Sequence, residues 1–548
     1  MHVRHIAVRA GRVLTAIPRA MLASSAGESE ACRSRRNEMT ELTEVADYVI
    51  VGAGSAGSAI ARRLVDAGRT VHVIEAGAPD ADPNIHSPQG WPALLMSDDD
   101  WAVMTTPQQH LGGRALYWPR GKTLGGSSSL NGMIYMRGDR TDYDGWVEAG
   151  AEGWSWDEVQ PYFRKSEDHA DGADEHHGAG GPLHVERIPE DHRNPVAAAF
   201  VEAAIASGIP ATDDFNRDTL DGAGFNHTTT KDGKRASAWQ AFVAPILDNP
   251  ALAVTTGALV HRVLVEDGAA VGVEYSVDGV VHIARAQAEI VLSAGAIGSP
   301  AVLLRSGIGP RAHLDEHGIA VVADLPGVGE NLHDHLLVSV LYESHDPVPA
   351  GRWNLLESQL YARSSQAEGA VPDLQPLFIH VPYPTDGGAA PAQGYTIAAG
   401  IVRPYSRGTI RLASSDAAVP PLTDPNVFAD ERDLEAMVDA IELVRGVGAQ
   451  EAFAPFRKAE FAPGPEVTTR EELRDFARRT VGTYHHQVGT CRMGVDEKAV
   501  VDPQLRVREV RGLRVADASV MPFVPSANTN APSIMIGERA ADFLLAVV

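Results

Sequence analysis

The segment from Asp47 to Glu75 constrains the fold of this chain more than any other. Asp47-Tyr48-Val49-Ile50-Val51 reads as a buried strand and runs into Gly52-Ala53-Gly54-Ser55-Ala56-Gly57, after which the pattern turns helical through Leu64. A second apolar run, Val71-His72-Val73-Ile74, ends in Glu75. Strand, glycine turn, helix, strand and acid in that order make a βαβ unit built around a pyrophosphate. The first glycine makes the tight turn, the second lets the backbone approach the phosphates, and the third lets helix and strand pack. The helix N-terminus then faces the negative charge. Glu75 stands at roughly the ~20-residue offset of an acid that accepts hydrogen bonds from ribose hydroxyls. Gly52, Gly54, Ser55, Ala56, Gly57 and Glu75 are therefore candidate nucleotide-binding residues.

A second stretch, Pro119-Arg120-Gly121-Lys122-Thr123-Leu124-Gly125-Gly126-Ser127-Ser128-Ser129-Leu130-Asn131-Gly132, is too rich in small residues to pack a core. Its glycines remove the Cβ that would hold a ligand off the backbone. Its serines leave amides and hydroxyls free to meet a phosphate or a polar ring edge.

With 548 residues and 44% hydrophobic content, the chain can bury a large core and is long enough for several domains. A formal charge of −25 argues against nucleic acid or an anionic membrane surface as a partner, since both reward clustered Lys and Arg. Only Cys32 and Cys491 occur, too few for a disulfide framework or a cysteine-ligated cluster, which suits a reducing compartment and a cytoplasmic location. No apolar run approaches the ~18 residues of a membrane span, so no transmembrane segment is expected. Residues 1–38 are Arg-rich, but Arg9, Arg12, Pro18 and Arg19 interrupt any apolar signal core. Translation starting at Met39 is the preferred reading, with residues 1–42 a misassigned or disordered extension.

The expected class is α/β (α+β): a Rossmann-like domain with an inserted mixed-sheet substrate-binding domain. The nucleotide domain is expected over 43–155, 221–344 and 495–548, and the substrate domain over 156–220 and 345–494. From Leu259 to Arg285, alternating runs separated by Asp267-Gly268 and Asp278-Gly279 predict a three-stranded antiparallel meander. The chain then returns to the nucleotide sheet through Glu289–Ala294. Further strands are expected at Leu377–Val381, Tyr395–Val402 and Thr409–Leu412. Leu434, Met437, Val438, Ile441 and Val444 share one helical face, with Gly446 as a stop. Another short strand and loop spans Gly512–Ser519.

The two glycine loops and the C-terminal motifs resemble the glucose-methanol-choline family of FAD-dependent oxidoreductases over almost everything after about residue 45. One family signature matches Gly121 through Arg137, and a second matches Gly295-Ala296-Ile297-Gly298-Ser299-Pro300 through Ser306-Gly307-Ile308-Gly309. The resemblance implies FAD contacts at the first glycine loop and Glu75. It adds Thr123, Leu124, Gly125, Gly126, Asn131, Gly132, Met133, Ile134, Val260, Asp517 and Ala518. Leu130 stands where some members carry a histidine that tethers the flavin, so noncovalent FAD is expected.

The family's catalytic pair maps onto His486 and Asn530. In Tyr484-His485-His486-Gln487-Val488-Gly489-Thr490 the histidine two residues before Val-Gly-Thr matches the base, with Gln487 where Pro is usual. Asn530 lies in Asn528-Thr529-Asn530-Ala531-Pro532. His485 is expected to line the substrate pocket, with further walls from Leu377 to Tyr383. The chemistry accounts for such a pair. Hydride leaves an alcohol carbon more readily once the O–H proton has gone, imidazole can take that proton near neutrality, and an amide can donate to the developing alkoxide. His333-Asp334-His335 has alternating ligand types but lacks a third and fourth ligand at zinc-like spacing, so no metal is expected.

The function expected is oxidation of a small primary alcohol to an aldehyde, with O₂ or a quinone or other electron carrier as acceptor. A flavin-containing lyase of the hydroxynitrile type is the alternative, disfavoured by the intact His486 and Asn530 pair. An NAD-dependent dehydrogenase would explain the first loop and leave the second unexplained.

Overall fold

The computed structural model describes residues 43–546. The expected extension over 1–42 and the start at Met39 lie outside the described residues.

The chain opens with β1 (Thr43–Val51), α1 (Ser55–Asp66) and β2 (Val71–Ile74), as the glycine pattern predicts. It then leaves this sheet for a long excursion that contains α2 (Pro195–Ala206) and β3 (Gly222–Phe225). It returns with β4 (Leu252–Thr255), β5 (Ala258–Glu266), β6 (Ala269–Val277) and β7 (Val280–Leu292), followed by α3 (Gly295–Arg305). Next come β8 (Leu336–Ser344), β9 (Ser358–Tyr361), β10 (Leu377–Ile379), β11 (Gly394–Ile401) and α4 (Glu431–Gly448). The rest is β12 (Arg457–Ala462), α5 (Arg470–Thr480), β13 (Gly482–Thr483), β14 (Leu513–Val515) and α6 (Asn530–Leu545).

Two seven-stranded sheets organise the molecule. The first runs β4-β2-β1-β7-β6-β5, with β14 also on β7. Here β7 does the work of two expected elements. It is parallel to β1 along most of its length, while its first half pairs antiparallel with β6 and its last residues pair parallel with β14. The meander and the returning strand are thus one continuous strand, because no residue between Arg285 and Glu289 forces a turn. Val49, Ile50, Val71, Val73, Val291 and Leu292 are buried, as expected of parallel strands covered on both faces. α1 packs against α6 so closely that a Cβ on Gly537 would lie 2.5 Å from the Ala56 carbonyl oxygen. The buried Glu538 of α6 pairs with Arg63 of α1 at 2.7 Å.

The second sheet runs β12-β8-β11-β10-β9-β3, with β13 also on β8. All of its pairings are antiparallel, so the mixture of strand directions expected there lies in the first sheet instead. β3 and β8, at 222–225 and 336–344, belong to this sheet, although the expected boundaries put both in the nucleotide domain. Among the described residues, the strand at Thr409–Arg411 pairs only with Leu422–Asp424, outside both large sheets. α4 lies against β11 with Leu434, Met437, Val438, Ile441 and Val444 buried, and α5 packs beside it. Gly446 does not stop α4, which continues to Gly448 and is capped by the Ala449 amide on the Arg445 and Val447 carbonyls. Among the described residues, no helix is long and apolar enough to cross a membrane.

Candidate active site

The residues expected to cradle the nucleotide lie at the carboxyl ends of β1 and β2. Gly52 adopts φ +101°, and a Cβ there would strike the Ser293 carbonyl at 2.4 Å. A Cβ on Gly57 would lie 2.1 Å from the Gly52 oxygen. Gly54 differs, because nothing stands within 4 Å of its missing Cβ. It precedes α1, whose first turn receives no side-chain cap. Free amides, a helix N-terminus and open space in front of Gly54 are what a pyrophosphate needs, so these residues fit the dinucleotide part of FAD. Ser55 and Ala56 begin α1. Glu75 is buried and accepts the Ala53 and Gly77 amides, each at 2.8 Å, through its two carboxylate oxygens.

The serine-glycine loop closes over this cradle. The Gly125 amide donates to the Ala53 carbonyl at 2.9 Å, and a Cβ on Gly126 would sit 3.0 Å from the Gly54 Cα. Leu124 and Thr123 hold the loop to Ala78 through the Leu124 amide at 3.1 Å and Thr123 Oγ1 at 3.0 Å. Further along, Asn131 Oδ1 accepts the Met133 amide at 3.1 Å, and the Gly132 carbonyl accepts Asn354 Nδ2 at 2.5 Å. Met133 takes φ +58° and is buried, as is Ile134. Arg235, which the sequence reading did not single out, donates to the Asn131 carbonyl at 2.6 Å and to Asn131 Oδ1 at 2.7 Å. Burial lowers its guanidinium to about 9. Asp517 accepts the Gly295 amide at 2.8 Å and Ser299 Oγ at 2.6 Å, tying the turn at Ala518 to the start of α3. Val260 is buried on β5, with its carbonyl 3.4 Å from Arg305 Nη2.

His486 sits between β13 and the turn before α6. Its Nδ1 lies 2.9 Å from His335 Nδ1, and its Nε2 lies 3.2 Å from Asn528 Nδ2. Its ring stacks on Tyr484 at a centroid distance of 4.9 Å. Tyr484 packs with Leu377, Ile379, Val381 and Tyr383, the stretch expected to wall the pocket. Burial, reinforced by His335, His485 and Arg120, holds His486 well below its ordinary value, so the imidazole is neutral at pH 7.

The segment carrying His486 is clamped. His485 takes φ +71°, a conformation rare for a non-glycine residue, and Arg120 Nη2 donates to its carbonyl at 2.7 Å. Asp334 accepts the His486 amide at 2.7 Å, Gln487 Nε2 at 2.9 Å and the Thr483 hydroxyl. Gln487, where the resemblance has proline, thus adds a donor to the Asp334 carboxylate. Burial raises Asp334 to about 6.

Asn530 makes no hydrogen bond to His486 among the described residues. It is the first residue of α6, and its Oδ1 accepts Ser55 Oγ at 2.7 Å, so the helix turns its side chain toward the glycine loop. Asn528, in the turn before the helix, takes the place at His486. The same motif contains both asparagines, and only the register of the helix start separates them.

His333 and His335 point to different partners. His333 bonds the Asn331 carbonyl at 2.6 Å and the Val524 amide at 2.9 Å, whereas His335 meets His486. Among the described residues, the grouping with metal-like spacing is instead His169, His177 and His227, within 4.8 Å of one another. His177 is engaged there by Glu167 at 2.9 Å and Asp214 at 2.7 Å, an arrangement that holds a proton on both ring nitrogens.

Family models described as GMC oxidoreductase match residues 46–337 and 404–537. The chain belongs to the GMC oxidoreductase family. It is an FAD-dependent oxidoreductase acting on CH–OH groups. It is 41% identical over 528 residues to the oxygen-dependent choline dehydrogenase of Brucella ovis, covering 91% of this chain and 95% of that protein. To the alcohol dehydrogenase [acceptor] of Pseudomonas putida it is 40% identical, with the same 91% and 95% coverage. Among solved structures it is similar to pyridoxine 4-oxidase from Mesorbium loti, with a TM-score of 0.87, 38% identity and coverage of 90% and 98%. Formate oxidase of Aspergillus oryzae RIB40 is likewise similar, with a TM-score of 0.87, 27% identity and coverage of 93% and 99%.

Proposed function

We propose that the chain oxidises a primary alcohol to an aldehyde, with His486 as the base and Asn528 as the oxygen anchor. The observation that carries this reading is a buried imidazole, held by that burial well below its ordinary value, whose Nε2 stands 3.2 Å from an amide nitrogen. When substrate binds, the Asn528 N–H leaves the Nε2 lone pair for the substrate oxygen, and Nε2 takes the hydroxyl proton as the alkoxide forms. Asn528 keeps a second N–H with which to steady that oxygen as its charge grows. Arg120, Thr483 and Asp334 hold the backbone that aims His486, and the apolar wall around Tyr484 keeps water from the reacting carbon. FAD, when bound, supplies the hydride acceptor.

FAD is held noncovalently, since Leu130 offers no nucleophile at the tethering position. The acceptor is O₂ or a quinone or carrier. The Brucella and Pseudomonas relatives bear names of both kinds, and the first adds choline-like alcohols to the substrates to be tried. The first sheet with its glycine loops forms the FAD domain, the second sheet with α4 and α5 forms the substrate domain, and the enzyme is cytoplasmic. The test is anaerobic flavin reduction by a panel of primary alcohols. Bleaching by at least one alcohol supports the reading, and a bound flavin that no alcohol reduces contradicts it.

A further inference from the structure

We infer that Gln375 is a positioning residue that decides which nitrogen of His486 carries the proton, acting through Asn528 in a hydrogen-bond chain whose direction is set at its buried end. The inference rests on the reading of His486 as the base.

The direction is set at Met136. A thioether sulfur accepts a hydrogen bond but has no hydrogen to give. Gln359 Nε2, 3.2 Å from Met136 Sδ, must therefore be the donor there, which leaves Gln359 Oε1 facing Gln375. Gln375 Nε2 lies 2.8 Å from that oxygen and 3.1 Å from Asn528 Oδ1, so it gives one N–H to each. With its oxygen so used, Asn528 turns Nδ2 to His486 Nε2 at 3.2 Å. A nitrogen facing an N–H donor presents its lone pair. The proton of neutral His486 is thus on Nδ1, 2.9 Å from His335 Nδ1. His335 accepts at Nδ1 and carries its own proton on Nε2, which is buried and faces the Val402 carbonyl without closing a regular hydrogen bond.

Burial fixes the upstream end. Met136, Gln359, Gln375, His335 and His486 are all buried, so neither glutamine amide can reverse by borrowing a water, and half-buried Asn528 is oriented by the Gln375 N–H that its oxygen accepts. The other groups facing His486 do not choose between its nitrogens. His485 and Arg120 disfavour protonation of the ring as a whole, Asp334 takes only its backbone amide, and Tyr484 stacks on its face while donating its hydroxyl to the Gln375 carbonyl at 3.0 Å.

The test is Gln375→Glu. A carboxylate has no hydrogen for Asn528 Oδ1, so the Asn528 amide reverses and its oxygen faces His486 Nε2, which then needs a proton. In the holoenzyme, anaerobic flavin reduction at pH 7 should fall about tenfold or more, and the acid limb of its pH profile should move up by about one unit. A purely structural role would lower the rate evenly across pH. Independently of turnover, ¹⁵N NMR of histidine-labelled protein should show His486 Nε2 unprotonated in the wild type and protonated in the variant. Should Gln375→Glu not fold, Gln359→Met removes the upstream acceptor and should give a mixture of the two His486 tautomers. An unchanged pH profile and unchanged nitrogen protonation in the variants, with His486→Ala still abolishing reduction, would overturn the inference alone. Full reduction by His486→Ala would instead overturn the base assignment on which it rests.

Discussion

Asn528 Nδ2 stands 3.2 Å from His486 Nε2, while Asn530, two residues on, turns to Ser55 Oγ at 2.7 Å. One asparagine faces His486 and the other ties the final helix to the first glycine loop. The two side chains are divided by the point at which the backbone becomes helical, since Asn528 precedes α6 and Asn530 begins it.

Alanine substitutions separate these roles. Asn528→Ala should lower the limiting rate of flavin reduction about 10²-fold, the loss typical of removing one donor to a developing oxyanion. Asn530→Ala should leave that rate within a few-fold and cost about 1 kcal/mol of stability, the worth of its hydrogen bond to Ser55. Stopped-flow reduction and denaturant unfolding measure the two, and the reverse ranking would restore Asn530 as the oxygen anchor.

Gly54 and Gly57 make a second contrast. Gly57→Ala forces a methyl group to within 2.1 Å of the Gly52 oxygen, so the α1 turn cannot close and soluble yield and thermal stability should both fall. Gly54→Ala meets nothing within 4 Å in the protein, and Gly54 has φ −76°, which any residue adopts. That variant should fold with an unchanged apoprotein Tm yet retain less FAD after gel filtration. If Gly54→Ala kept its full flavin content, the pyrophosphate would not pass over this glycine.

Stability should peak near neutrality and fall on both sides. Burial holds His335 and His380 at about 3 and His227 at about 4, and burial with the Arg120 charge holds His485 at about 3. Each is depressed on folding, so its contribution is complete above about 6.5 and is lost as the pH falls, at up to ~1.4 kcal/mol per unit. Burial raises Asp334 to about 6 and Glu357 to about 7, and these act oppositely but are fewer. On the alkaline side, burial alone would lower His177, but its hydrogen bonds to Asp214 and Glu167 raise it to about 8. That contribution is present below about 6.5 and is lost as the pH rises through 8, roughly 2 kcal/mol in all. Tm measured from pH 5 to 9 should show both limbs, and His177→Gln should flatten the alkaline one. A Tm that climbs steadily across the range is the contrary result.

Acid precipitation tests the attachment of the flavin. With Leu130 at the tethering position, the supernatant should carry the yellow chromophore and the pellet should be colourless. Flavin retained on the washed pellet would show a covalent bond to another side chain.

The features legible in the sequence are those whose signals are local. The turn through Gly52, Gly54 and Gly57, the acid at Glu75 and the amphipathic face of α4 each state their geometry within a few residues. The continuity of β7 was not legible, because a strand that changes partners midway carries no break in its own pattern. The exchange of Asn530 for Asn528 depends on the register of a helix start, and helix ends are the least defined part of a sequence pattern. Arg235, Gln359 and Gln375 were invisible for a different reason. Each matters through a hydrogen bond to a residue more than a dozen positions away, brought close only when the two sheets and the serine-glycine loop come together.

The most direct measurement is anaerobic stopped-flow reduction of the bound flavin by the best primary alcohol, in the wild type and in His486→Ala. Rapid bleaching of the wild-type flavin is expected, with a rate at least about 10²-fold lower in the variant and the flavin still bound. Near-equal rates in the two proteins would remove His486 from the chemistry and contradict the account at its centre.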